Sequence, residues 1–212
     1  MTPKDLTRRH PALFHMAVTG SWSSIKRHGL LSTESLLNLF EIGGRQRAEI
    51  LTRRRPNPIL IEHPKYGRAV IRDQKTLNEA KLAACLQNGL TTSQWLRMLN
   101  SKVFFWVDSK RLTGLRDARE YRHARQLVLV VNTAEFVEAY ADRIMLSDRN
   151  TGTTSPMAHP RGRDTFQPLR RDTRSRVVEL TVDGGVPDVC RFVTTAMEIG
   201  GGEPDTVLYT RS

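Results

Sequence analysis

Residues 13–32 read LFHMAVTGSWSSIKRHGLLS, and this stretch decides the fold. Leu13-Phe14 opens an apolar strand that carries His15 at its end. Gly20 and Ser21 then break the chain, and a Ser at that position can cap a new helix. Trp22, Ile25 and Lys26 continue at helical spacing, and Gly29 stands where a left-handed stop belongs. Leu30-Leu31 restart an apolar segment. The pattern therefore predicts a strand that delivers one imidazole to a sheet, with a short helix packed behind it. A lone His in such a place also fits a core or surface histidine with no chemical task.

The chain has 212 residues, enough for one domain with a full core. No run of about 18 apolar residues occurs, which argues against a membrane span. The first residues, MTPKDLTRRHPALF, have no apolar h-region and do not read as a secretory signal. Cys85 and Cys190 lie far apart inside apolar patterns and read as reduced thiols of a cytoplasmic protein. The six histidines show no spacing with cysteine that suits zinc, so no metal is expected. The net charge of +11 is the strongest compositional signal. It favours a polyanionic partner, and its arginine bias favours phosphate, because guanidinium can pair phosphate through two parallel bonds.

Taken in order, residues 1–12 read as a polar lead-in and residues 13–212 as the domain. Thr33 can cap a helix holding Leu36, Leu37, Leu39 and Phe40, ended at Gly43-Gly44. GRQRAEILTRRRP follows as a helical stretch broken by Pro56 and Pro58, with Arg45, Arg47, Arg53, Arg54 and Arg55 forming a basic face. Ala69-Val70-Ile71 is a brief strand ending in the polar tetrad Arg72-Asp73-Gln74-Lys75. Two helices come next, one stopped at Gly89 and one capped by Thr92. KVFFWV (102–107) and QLVLVV (126–131) are dense β-rich strands. A helix over 134–140 and a strand over 143–146 lead into residues 148–175. That stretch has no apolar periodicity and holds Arg161, Arg163, Arg170 and Arg171. Long unpatterned loops are usually functional or disordered, and a basic one is a candidate nucleic-acid contact. The strand RVVELTV (176–182) embeds Glu179 among apolar neighbours, and a buried carboxylate there needs a partner or a purpose. Residues 188–199 read as a short helix, and TVLYT closes the chain as a strand.

The sequence resembles the ADP-ribosyltransferase superfamily, and most of all the DarT-type DNA ADP-ribosyltransferase toxins. The resemblance spans roughly residues 13–190 and rests on short motifs in the right order. His15 falls on the first His of that family's opening H-x-T-H segment, followed by a short helix and Gly29-Leu30; the Thr and second His of the pattern are Ala17 and Val18 here. Glu179, followed by Val186-Pro187, matches the strand that carries the superfamily's catalytic glutamate. The arginine cluster after the first His matches at Arg53 and Arg54, which the resemblance implies as catalytic with Glu179. His15, Ala17, Arg72 and an aromatic at Phe105 or Trp106 are implied to hold NAD as co-substrate. The family's Pro-Arg-Ser segment is replaced by Asp108-Ser109-Lys110-Arg111.

The implied fold is α+β, with a split β-sheet core and flanking helices. The implied activity is transfer of ADP-ribose from NAD to a nucleic acid, DNA rather than RNA, with release of nicotinamide. An antitoxin or a de-modifying hydrolase is the implied partner, and no membrane is involved. The RNA 2′-phosphotransferase branch of the superfamily calls for an H-x-H segment, which this chain lacks. A protein-modifying transferase remains an alternative, as does a non-catalytic basic nucleic-acid-binding protein in which His15 and Glu179 would not converge. The chain has no G-x-G-x-x-G phosphate loop, which argues against a Rossmann dehydrogenase.

Overall fold

The first element of the computed structural model, which describes residues 1–155, 157–170 and 176–211, is a helix inside the expected lead-in. This helix, α1 (Pro3–Arg9), is capped reciprocally: Thr2 Oγ1 accepts from the Asp5 amide at 3.1 Å, and the Asp5 carboxylate accepts from the Thr2 amide at 3.4 Å. Its one core-forming side chain, Leu6, is fully buried in the main core. Residues 3–9 are therefore part of the domain. A single leucine in a charged heptapeptide has no periodicity to read.

Strand β1 (Ala12–Val18) runs past His15, and α2 (Trp22–His28) follows it. Gly29 ends α2 at φ +78°, and a Cβ there would lie 2.3 Å from the Pro187 Cα. Both the backbone angle and the close approach require glycine. After β2 (Leu30–Leu31), Ser32 rather than Thr33 caps α3 (Thr33–Leu39), its hydroxyl accepting from the Ser35 amide at 3.1 Å. Helix α4 (Gly44–Thr52) leads into a hairpin of β3 (Ile59–His63) and β4 (Gly67–Ile71). Then come α5 (Glu79–Cys85), α6 (Thr92–Asn100), β5 (Lys102–Trp106), α7 (Ser109–Arg116), β6 (Arg125–Asn132), α8 (Thr133–Tyr140) and β7 (Ile144–Ser147). The chain closes through β8 (Gln167–Pro168), β9 (Glu179–Asp183), β10 (Gly185–Val186), β11 (Val193–Gly200) and β12 (Thr206–Thr210).

Eight of these strands form one antiparallel sheet in the order β12-β11-β6-β1-β5-β9-β7-β8. The main core lies between this sheet and α1, α2 and α8, with Leu127, Leu129, Phe105 and Phe136 at its centre. Smaller cores sit under α3, α4 and the β3–β4 hairpin, and between α5 and α6. The chain is thus an α+β domain with a large antiparallel sheet and flanking helices. Among the described residues no helix is long and apolar enough to cross a membrane.

One junction in the sheet is loose. Strand β1 pairs with β6 along its whole length but meets β5 at a single residue pair, Phe14 opposite Trp106. Beyond that pair the strands part, and a side chain replaces the ladder: His15 Nδ1 donates to the Phe104 carbonyl at 2.8 Å.

Residues 188–199 do not form the expected helix. They make a 3-10 turn, Val189–Arg191, and then β11. Register shifts at 193/195 and 196/197 make Val193, Ala196 and Ile199 the buried residues. Bulges thereby bury every third residue, a spacing that imitates a helix face.

Candidate functional site

The parted seam between β1 and β5 opens into a cavity of about 300 Å³, lined among others by His15, Ala17, Arg72, Trp106, Tyr121 and Glu179. His15 is fixed by the bond to Phe104, and because a carbonyl only accepts, its proton sits on Nδ1. Burial pushes the imidazole down to about 4, the Phe104 bond opposes this, and the nearby Arg72 charge assists it. At neutral pH the ring is uncharged, and Nε2 carries a lone pair.

Glu179 is the first residue of β9, opposite Trp106 on β5 and Ser147 on β7. It is 3% exposed. Thr151 serves it twice, the amide donating to Oε2 at 3.0 Å and the hydroxyl at 2.7 Å. Oε1 accepts no bond among the described residues. Burial raises the carboxyl to about 7, although the Thr151 bonds and the charges of Arg111 and Arg161 pull it down. A carboxyl so poised changes charge in the neutral range, as catalytic acids and bases often do.

Arg72 follows directly on β4. Its Nη1 donates to the Met16 carbonyl at 3.1 Å, and its guanidinium lies 5.0 Å over the Tyr121 ring. Burial lowers its pKa, opposed by Tyr121 and Asp73. The Tyr121 hydroxyl donates to Asp73 Oδ1 at 2.5 Å, and burial together with this bond raises the phenol well above its usual range. Arg55 holds the same corner from beneath. It is buried and donates to the carbonyls of Arg72 (3.0 Å) and Ile50 (2.7 Å) and to Asn100 Oδ1 (2.9 Å), and burial pushes it down to about 10.

The structure brings His15, Ala17, Arg72, Trp106 and Glu179 together and leaves other expected residues outside. Arg53 is exposed and lines no part of this cavity. Arg54 also lies outside it, donating to the Gln74 carbonyl at 3.2 Å and the Lys75 carbonyl at 3.0 Å. Helix α4 stops at Thr52, and the extended chain after it sends only Arg55 inward. Phe105 is fully buried against Phe136, ring centroids 5.1 Å apart, so strand alternation puts Phe104 and Trp106 on the cavity side instead.

In the basic loop one expectation is corrected, that for Arg161. Arg161 is 1% exposed and contacts no solvent strand. Its Nη1 donates to the carbonyls of Thr151 and Thr153, both at 3.0 Å, and its Nε to His159 at 3.1 Å. Arg163 and Arg170 are exposed, and Arg171 lies outside the described residues. Sequence reasoning missed Tyr121, Thr151, Phe104 and the inward role of Arg55.

Among the described residues no group of His, Cys, Asp and Glu is arranged to hold a metal ion. Residues 11–193 match a family of unknown function, DUF7002, and the chain belongs to that family. No curated protein matches the chain.

Proposed function

We propose that this member of the family is an NAD-dependent ADP-ribosyltransferase that modifies nucleic acid, DNA before RNA. The observation that carries the reading is the convergence of His15, Arg72 and Glu179 on one cavity. The single-pair junction of β1 and β5 supports reading the sheet as the split core of the ADP-ribosyltransferase superfamily. A non-catalytic descendant has no reason to keep a buried carboxylate with one oxygen unbonded in a cavity, because burial of charge is costly.

The donor set fits NAD. Arg72 offers a cation for the diphosphate, His15 Nε2 an acceptor for a ribose hydroxyl, and Trp106 and Phe104 offer faces to nicotinamide. In the reaction the ribose–nicotinamide bond breaks, and its electron pair leaves with neutral nicotinamide. Positive charge develops on the sugar carbon, and ionised Glu179 stabilises it. The acceptor then adds to that carbon, and its proton passes to the Glu179 carboxylate and on to water. Cys85 and Cys190 are free thiols, which supports a cytoplasmic setting. Such an activity calls for an antitoxin or a de-modifying hydrolase in the same cell.

Mass spectrometry of oligonucleotides incubated with protein and NAD tests the reading. One added ADP-ribose per strand is expected. Intact NAD with unmodified oligonucleotide would overturn it, and modified protein in place of oligonucleotide would move the acceptor class. The Glu179 acidity adds a second expectation. Nicotinamide release should rise with pH through an inflection near 7, because only the ionised carboxylate stabilises the transition state. Stability should move the other way. The folded pKa is raised, so this group's contribution is full below the unfolded value of 4.5 and is lost as pH rises through about 7. The loss amounts to roughly 3 kcal/mol. A rate that stays flat between about pH 5.5 and 8.5 rules out Glu179 as the group whose charge drives cleavage.

A further inference from the structure

Beside the cavity lies a second, wider cleft of about 840 Å³, bounded by α5, by α7 with residues 118–120, and by the 150–155 turn. Arg54, Lys75, Lys81, Lys110 and Arg111 line it, against Glu79 and Glu120. Many of the chain's other cations are neutralised by carboxylates, as in Arg45–Glu49, Arg68–Glu62 and Arg211–Glu135. Lys81, Lys110 and Arg111 make no ion pair among the described residues. Five cations against two carboxylates leave the lining of this cleft net positive.

The cleft adjoins the cavity. Thr76, Leu77 and Asn150 line both spaces. Asn150 immediately precedes Thr151, the residue that holds Glu179. An anionic chain lying along the cleft would thus reach the unbonded oxygen of Glu179 by passing Asn150.

We propose that this cleft seats the phosphodiester backbone of a single-stranded nucleic acid and feeds one of its bases past Asn150 and Thr76 into the cavity. The catalytic meaning of the assignment rests on the transferase reading, while the binding site stands on the geometry above. The strand must be single because Glu179 is 3% exposed at the inner end of the path, where a base stacked in a duplex has no access. Nucleic acid fits better than an acidic peptide because Tyr121 lines the cavity beyond the junction, and an aromatic ring there can stack on a base. Lys75, Lys81, Lys110 and Arg111 take the place of Arg161, which is buried and spent on carbonyls.

The experiment measures binding of a fluorescent oligothymidylate by anisotropy over a range of salt. In the test variant, the exposed Lys81 and Lys110 become K81E and K110E. The control, K4E with R163E, makes the same charge change at exposed positions on α1 and on the 3-10 turn Arg163–Thr165. The cleft variant should lose affinity by roughly tenfold or more, and its log–log salt slope should flatten by about 1.4, as expected for two lost single-strand phosphate contacts. The control should keep both. Equal losses in the two variants would mean that net charge alone binds, and would overturn the site. Tighter binding of duplex, or of oligoglutamate, would overturn the occupant.

Photocrosslinking of a thiothymidine strand to the unmodified protein checks the same point without mutation. Adducts should fall within 75–81 and 110–120, and adducts confined elsewhere would overturn the site. Nicotinamide release from the same preparations reports on the transferase reading alone. Its absence beside cleft-dependent binding would sink that reading and leave the cleft assigned.

Discussion

Glu179→Gln is expected to lower the rate of nicotinamide release and of ADP-ribose transfer by about 10²–10³, or roughly 3–4 kcal/mol, while NAD affinity stays within a few-fold. The amide keeps the shape of the side chain, and its oxygen can still accept from the Thr151 amide and hydroxyl. What it loses is the charge that, in the transferase reading, faces the sugar carbon and matters most in the transition state. The same substitution should stabilise the fold at pH 8. Wild-type protein carries there a buried carboxylate whose pKa is raised to about 7, and the variant carries none. At pH 4 both are neutral and should melt alike. Calorimetry for NAD, single-turnover release and thermal melts at the two pH values together decide the matter. Wild-type turnover in the variant would leave Glu179 without a catalytic role. Equal melting at pH 8 would mean that its carboxyl is not held near 7.

Opposite effects on rate and stability would mark a residue retained against the interest of packing, and the burial of such a residue is what a sequence displays best. Glu179 was legible because a carboxylate among Val177, Val178, Leu180 and Val182 has few bland explanations. The β1–α2 stretch was legible because Gly29, Trp22 and Ile25 obey local rules that no distant contact overrides. Strand cores at 102–106 and 125–132 were legible from β-branched and aromatic density.

What failed depended on direction or on distant neighbours. Arg53, Arg54 and Arg55 are the same residue type in adjacent positions, and only the exit of the chain from α4 decides that Arg55 turns inward. Phe105 and Trp106 differ by one step of alternation, and the sheet face chosen by the core sets that parity. Tyr121 sits in a charged stretch that says nothing of Asp73, 48 residues away. The bulged β11 imitated a helix for the reason given above.

The arginine-rich segment shows the same limit most plainly, and it yields the second large expected effect. Arg161→Met should destabilise the protein by about 3–5 kcal/mol. Methionine fills similar space with no donors. Three carbonyls, of Thr151, Thr153 and His159, lose their partner. Each buried carbonyl so stranded costs about 1–3 kcal/mol, and the exposed His159 end can recover part of its share from water. A surface arginine serving a nucleic-acid strand would show no such penalty. The effect should also reach the chemistry. Arg161 holds the Thr151 backbone, which in turn serves Glu179, and its charge helps to hold that carboxyl down. In the methionine variant the inflection in nicotinamide release should therefore move above its wild-type position. Arg161→Lys keeps the charge but not the fork of donors, so it should lose stability with a smaller displacement of the inflection. Urea melts and pH–rate profiles on the two variants separate these outcomes. A methionine variant as stable as the wild type would show that the 150–155 turn does not depend on Arg161. A loss of stability with an unmoved inflection would confine Arg161 to structure and detach it from Glu179.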